Sequence, residues 1–218
     1  MALKKEEITR KLLHLFALTM PLGIFYIPRM DISYTVPITI LASVLGASIV
    51  VERLRLKFKP VQRLFFLFFG SLLRREEVAK TTGSTYVIAA SLLCAVLFRN
   101  HTHISFIVLT LFILGDAIAA IVGLSVGKIK IGKKSLEGSV ACFILCMILL
   151  YAVFPFIPGL LEAWGNRVPL IFALAISLSI TLFELIPLRV SPKFIINDNL
   201  AVPVITGYIV IGLERLVF

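Results

Sequence analysis

Seven apolar runs joined by short, mostly basic connections limit what this chain can fold into more than any other feature. They cover positions 12–27, 32–51, 84–98, 104–126, 139–157, 168–186 and 200–217, and the second holds twenty residues without a charge. About 20 apolar residues, within a range of roughly 17–25, carry a helix across bilayer hydrocarbon. A helix suits this solvent because its backbone N–H and C=O groups are satisfied within the segment. Composition closes off the alternative of a water-soluble globule. Hydrophobic residues make up 59% of the chain and charged residues 16%, against roughly 45–50% and about 25% in soluble domains. Too few polar side chains remain to cover a soluble body of 218 residues. The expected fold is an all-α, polytopic membrane protein of about seven transmembrane helices, with residues 1–218 forming a single domain. An ordinary soluble enzyme, a disordered chain and a disulfide scaffold are excluded. Cys94, Cys142 and Cys146 all fall inside apolar runs, where packing is their expected role.

An eighth apolar run, at 64–73, is too short to cross and is read as an interfacial or re-entrant segment. The first run follows Lys4 and Lys5, as the core of a signal peptide would. Glu6, Glu7, Arg10, Lys11 and His14 crowd its entry, however, and no small-residue cleavage pattern follows, so it is read as a retained span. Charge then sets orientation. With the N-terminus inside, 18 Lys and Arg residues fall on inner segments and 4 on outer ones, namely Arg29, Arg99, Arg167 and Arg215. Basic residues accumulate in the cytoplasmic loops of membrane proteins. The N-terminus is therefore expected in the cytoplasm and the C-terminus outside. The net charge of +10 then reflects topology and anionic headgroups. The bilayer is the expected partner and nucleic acid is not.

A charge inside a span costs roughly 2.5–3.5 kcal/mol on insertion scales, so function is its default explanation. Asp116 lies midway along the fourth run, on which Gly115, Ala119, Gly123 and Gly127 recur every four residues. Such a ridge lets either another helix or a ligand come close. Asp116 is eleven residues before Gly127, about 16 Å along an unbroken helix, so access needs a water-filled funnel or a helix break. The following loop, GKIKIGKKSLEGS at 127–139, sets Lys128, Lys130, Lys133 and Lys134 against one acid, Glu137. Its spacing nearly matches a P-loop, but Lys134 takes the Ser/Thr position and no soluble α/β core exists, so a P-loop NTPase is rejected. Either these lysines only set topology, or with Gly132 and Gly138 they receive phosphates.

Glu7, Lys11 and His14 share one helix face, with Arg10 beside them. Helix pairing and snorkelling explain that group as well as a site does. Glu52 and Arg53 read as a polar helix end or as part of a site. Thr82 or Ser84 in TTGSTY reads as a helix cap or as an anion site beside Gly83. Glu184 closes the sixth run without such an explanation, whereas Asp198 or Asn199 can cap the seventh. On the outer side, His101 and His103 flank Thr102 as a metal pair would, but no carboxylate or cysteine is expected to accompany them there, so they read as plain loop, and Trp164 reads as an interfacial anchor. The costly groups gather at or below the inner face, a pattern that fits a one-sided site for an amphipathic substrate better than a transport path.

These residues resemble a known family. LGDAIAAIVGLSVG at 114–127, followed by KKSLEGS at 133–139, resembles the CTP-dependent lipid-alcohol kinases: dolichol kinase, phytol kinase and the yeast-type diacylglycerol kinase. RKLLH at 10–14, TTGSTY at 81–86 and DNLAVP at 198–203 follow the same order. Phosphatidate cytidylyltransferases carry a related block, usually with tryptophan where this chain has Leu136, and a longer C-terminal signature not found here. The resemblance therefore favours the kinase branch, nearer in size to phytol kinase-like and prokaryotic members. It implies transfer of the CTP γ-phosphoryl group to a lipid hydroxyl at the cytoplasmic face while the tail stays in the bilayer. It also implies Mg²⁺ held by Asp116 with Glu137 or Asp198. A nucleotide would lie on Lys128, Gly132, Lys133, Lys134, Ser135, Glu137 and Gly138, with Arg10, Lys11, Thr82, Gly83, Asp198 and Asn199 nearby. The general base is left among Asp116, His14 and Glu184. Two other readings stand beside this one: a CTP-dependent phosphatidate cytidylyltransferase, and a small membrane transporter or assembly factor using Asp116 for ion coupling.

Overall fold

The computed structural model describes residues 15–217 without 71, 72, 74, 133, 187, 188, 192 and 193, and without the side chains of 75, 76, 189–191, 194 and 195. Almost all of it is helix. The elements are α1 (Thr19–Tyr26), α2 (Thr35–Lys57), α3 (Lys59–Phe69), α4 (Gly83–Leu97), α5 (Thr102–Ser125), α6 (Leu136–Ile148), α7 (Leu170–Leu185) and α8 (Asp198–Val217). Two short antiparallel hairpins interrupt the series, β1 (Lys130–Ile131) with β2 (Lys134–Ser135), and β3 (Arg189–Ser191) with β4 (Phe194–Ile195).

Four helices are long and apolar enough to cross a membrane: α2, α5, α8, and α6 with its continuation to Phe156. The helices α4 and α7 are apolar but shorter, 15 and 16 residues. The seven expected spans therefore meet four helices of full length and two short ones among the described residues. The first expected span is described only from residue 15, as a 3-10 turn at Phe16–Leu18, the eight residues of α1 and a second turn at Ile27–Met30. The short run at 64–73 falls largely in α3, 11 residues long and too short to cross. Extended Phe58 separates α3 from α2, and Pro60 fits the first turn of a new helix.

Helix α5 is the hub. Every residue from His103 to Ile113 is buried, as a helix apolar on all sides has to be. It packs against α6, α1 and α8; α6 continues to α7, α7 to α8, and α4 joins α2 to α8. The C-terminal ends of α2, α5 and α7 meet the N-terminal ends of α4, α6 and α8, through Glu52 with Thr82, Asn199 with Gly83, and Lys134 with Glu184 and Asp198. The opposite end is tied by the Tyr34 hydroxyl donating to the Ala95 carbonyl at 2.6 Å and by Arg29, which reaches Thr102 and the Gly159 carbonyl. Two outer-side expectations change here. A carboxylate does accompany His101 and His103: Glu214, brought from the far end of the chain by α8. Trp164 is buried, and its indole N–H donates to the same Glu214.

Candidate active site

The site is built where α5 hands over to α6. Hairpin β1–β2 turns through Gly132, whose φ of +62° lies in the left-handed region that favours glycine. The Glu137 carboxylate accepts the backbone N–H groups of Lys128 and Ile129 at 2.9 and 3.0 Å, closing the loop onto α6. Ser135 caps α6 by accepting the Gly138 N–H at 3.1 Å, and the Ser139 hydroxyl donates to the Ser135 carbonyl. The small-residue ridge of α5 receives this assembly. A Cβ on Gly123 or Gly127 would stand 2.7 Å from the Ser135 hydroxyl, one on Gly115 2.7 Å from the Cys142 sulfur, and one on Gly138 against the Ala119 carbonyl. The ridge therefore takes the helix, and Ala119 and Gly123 also border the cavity beside it.

Beside that contact lies a cavity of about 180 Å³. Asp116 lines it from α5, above a wall of Ala119, Ala120 and Gly123. The hairpin contributes Lys130 and Lys134, the cap of α6 contributes Ser135 and Ser139, α7 contributes Glu184, and α8 contributes Asp198 and Asn199. Helix α5 continues unbroken to Ser125, so the deep carboxylate is reached through this cavity and not through a helix break. Leu124 lines the cavity and is also 48% exposed on the apolar flank of the molecule. Leu124, Ala119 and Ala120 thus give the cavity an apolar side, and five ionisable side chains, Asp116, Lys130, Lys134, Glu184 and Asp198, share the remainder with Ser135, Ser139 and Asn199.

Lys134 organises the charge. Its ammonium lies 2.7 Å from Glu184 Oε2 and 2.8 Å from Asp198 Oδ2, and it also donates to the Glu184 carbonyl. Burial alone would lower the Lys134 pKa, but Glu184 and Asp198 outweigh it and hold the group above its ordinary value. Glu184 is itself buried, and a buried carboxylate persists when a cation faces it. The carboxylate oxygens of Asp116, Glu184 and Asp198 are the hard donors that Mg²⁺ selects, so the donor set fits such an ion in kind. Lys134 now bridges Glu184 and Asp198; a second anion able to draw it away would free both carboxylates.

The next shell reaches TTGSTY. Asn199 donates its amide to the Gly83 carbonyl at 3.1 Å, and the Gly83 N–H donates to Glu77. Thr82 stands at the N-cap position of α4, but its side chain does not cap. Its hydroxyl and N–H both donate to Glu52, at 2.7 and 3.0 Å. The other Glu52 oxygen holds Arg55, which also donates to the carbonyls of Glu77 and Lys80. Sequence reading counted Arg55 among the topogenic charges; it is 1% exposed and structural. Asn197, which sequence reading passed over, accepts the Asn199 N–H and so caps α8. Asp198 Oδ1 accepts the same N–H at 3.1 Å, and Asp198 Oδ2 accepts from Lys134. An Asn one residue before the first expected cap, Asp198, was the available signal.

Of the residues singled out from sequence, the cavity gathers Asp116, Ala119, Gly123, Lys130, Lys134, Ser135, Ser139, Glu184, Asp198 and Asn199. Thr82 and Gly83 join through hydrogen bonds. Lys128, Gly132, Glu137 and Gly138 shape the hairpin and its seam and do not line the cavity. Arg10, Lys11, His14 and Lys133 lie outside the described residues.

No family model and no solved structure matches this chain. An uncharacterized protein of Rickettsia prowazekii (strain Madrid E) is 23% identical over 201 residues, 90% of this chain and 89% of that protein. A probable chloroplastic phytol kinase of Triticum aestivum is 29% identical over 139 residues, 61% of this chain and 44% of that protein. The second similarity is weak and partial, and it points toward lipid kinases.

Proposed function

We propose that this chain is a membrane lipid-alcohol kinase. It moves the γ-phosphoryl group of a nucleoside triphosphate, CTP, to the hydroxyl of an isoprenoid alcohol of the phytol or polyprenol class, at the cytoplasmic face. The observation that carries this reading is the cavity itself, which sets lysines and three carboxylates against one lipid-facing edge at Leu124. The similarity to a probable phytol kinase supports it and favours an isoprenoid acceptor over diacylglycerol.

Phosphoryl transfer asks a protein mainly for positioning and charge neutralisation. In this reading the alcohol enters past Leu124 with its tail left in the bilayer. Lys130 and Lys134 neutralise phosphate oxygens, and Lys134 exchanges its carboxylate partners for the nucleotide. Asp116 and Asp198 would hold Mg²⁺, which when bound supplies further positive charge at the phosphates. The alcohol oxygen bonds to the γ-phosphorus, the bond to the β,γ-bridging oxygen breaks, CDP leaves with that electron pair, and Glu184 takes the hydroxyl proton.

Purified protein given Mg²⁺, an acceptor chosen from phytol, polyprenol, diacylglycerol and phosphatidate, and CTP labelled at the γ or α phosphorus tests this directly. Label from the γ position in the lipid is the expected result. Label from the α position would indicate cytidylyl transfer to a lipid phosphate, and no transfer to any acceptor overturns the kinase. Asp116→Asn is expected to cost about 100-fold or more in rate, as loss of a central electrostatic group does, with membrane insertion unchanged. Full activity in Asp116→Asn removes the metal assignment.

A further inference from the structure

His101, His103 and Glu214 form a cluster at the end of the bundle opposite the cavity, and the proposed reaction does not use it. His101 occupies the N-cap position of α5 and His103 its first turn, while Glu214 lies in the last turn of α8. His101 Nδ1 stands 3.0 Å from Glu214 Oε2, and His103 Nε2 stands 2.8 Å from Oε1. One ligand atom from each residue lies within 4.8 Å of the other two, and among the described residues this is the one group of three or more such side chains so gathered.

The surroundings orient the carboxylate. The Trp164 indole N–H donates to Glu214 Oε1 at 2.7 Å, and the Trp164 ring stands edge-on to His103 at 5.8 Å. A hydrogen-bond donor behind a ligating carboxylate is the usual outer support of a metal ligand. His103 and the indole already satisfy Oε1; His101 then brings a second imidazole nitrogen to the other oxygen, so two nitrogens and a carboxylate converge. Zinc bonds of about 2.0–2.1 Å place tetrahedral neighbours about 3.3 Å apart, so the two short His–Glu214 pairs would open and separations of up to 4.8 Å would close around an ion. The His101 side chain is 40% exposed, which opens an approach for the ion and a position for water as fourth ligand.

We propose that His101, His103 and Glu214 bind one divalent transition-metal ion of the zinc class, tying α5, α8 and the Trp164 segment together at this face. Two histidines and a glutamate are a donor set that Zn²⁺ accepts with a fourth position open.

Untagged full-length protein in detergent, stripped with chelator, is titrated with Zn²⁺ by calorimetry and with Co²⁺ by visible absorption. One ion per chain is expected, with d–d bands of nitrogen and oxygen ligation and a higher melting temperature in zinc. His101→Ala, at the exposed edge, is expected to weaken zinc binding roughly tenfold or more and to abolish the zinc-induced rise in melting temperature, while the metal-free protein melts as wild type does. Glu214→Gln is expected to lose binding as well. His14→Ala, the third histidine of the chain, should bind as wild type. No uptake by wild-type protein, or equal uptake by His101→Ala and wild type, overturns the site. These readouts are independent of phosphoryl transfer.

Discussion

Lys134 carries the charge balance of the cavity. It neutralises Glu184 and Asp198 together, and Glu184 is too buried to exchange that partner for water. Lys134→Met is expected to destabilise the protein by about 1–3 kcal/mol, the usual cost of stranding a buried polar group. Adding Glu184→Gln should recover most of that loss, and thermal melts of the two variants in detergent check it. The same pair predicts a pH dependence. A lysine with a raised folded pKa contributes stability that is fully present below its unfolded value and is lost as pH rises through the folded value. The melting-temperature gap between wild type and Lys134→Met should therefore hold on the alkaline side of neutral and shrink above the ordinary lysine value of 10.5. A gap that closes below pH 9 would contradict the ion triad. Lysines on a basic loop were legible in the sequence, but which of them turns inward was not. The spacing of Lys128, Lys130 and Lys134 treats them alike, and the hairpin, with Lys130 opposite Ser135 and Ile131 opposite Lys134, brings Lys130 and Lys134 to the cavity and leaves Lys128 out of its lining.

The seam between α5 and α6 is the contact on which the site is built. Gly115, Ala119, Gly123 and Gly127 let the backbone of α6 and its cap come within reach, and Gly138 returns the favour on the facing helix. A methyl group at Gly138 meets the Ala119 carbonyl, which belongs to a rigid helix backbone. Gly138→Ala should cost about 1–3 kcal/mol, as overpacking does, and should shift the hairpin lysines out of the cavity. Gly46→Ala has open space at its Cβ and should leave the melting temperature within a degree or two. Equal melting of the two variants would show that the seam is looser than described. The four-residue repeat announced close packing in advance. Its partner was not announced, because small residues admit a helix or a ligand equally and only the neighbouring helix decides.

Across the whole molecule, the helix ends alternate, so the cavity and the His101–Glu214 cluster lie at opposite ends. Exposed positions report this directly. Lys80→Cys and Lys128→Cys should react with a membrane-impermeant thiol reagent from one side, and Arg167→Cys from the other. Labelling of all three from one side would overturn the alternation. The native cysteines do not interfere, since Cys94, Cys142 and Cys146 are all buried. The alternation matters for the proposed reaction because a lipid alcohol presents its hydroxyl at one interface only, and every cavity-lining group comes from helix ends on one side or from Asp116 above them.

Hydropathy determined the helical class and the approximate apolar runs. These are local properties: a helix closes its own backbone hydrogen bonds, so its solvent can be read from its own residues. They also picked out Asp116, Glu184 and Asp198, because a carboxylate near hydrocarbon is costly wherever its partner lies. The partners themselves came from tertiary structure alone. Lys134 meets Asp198 across 64 residues, Glu52 meets Thr82 across 30, and His103 meets Glu214 across 111. Such pairings depend on how each helix is rotated and which helix lies beside it. Those choices are made by packing at the glycine seams and around α5.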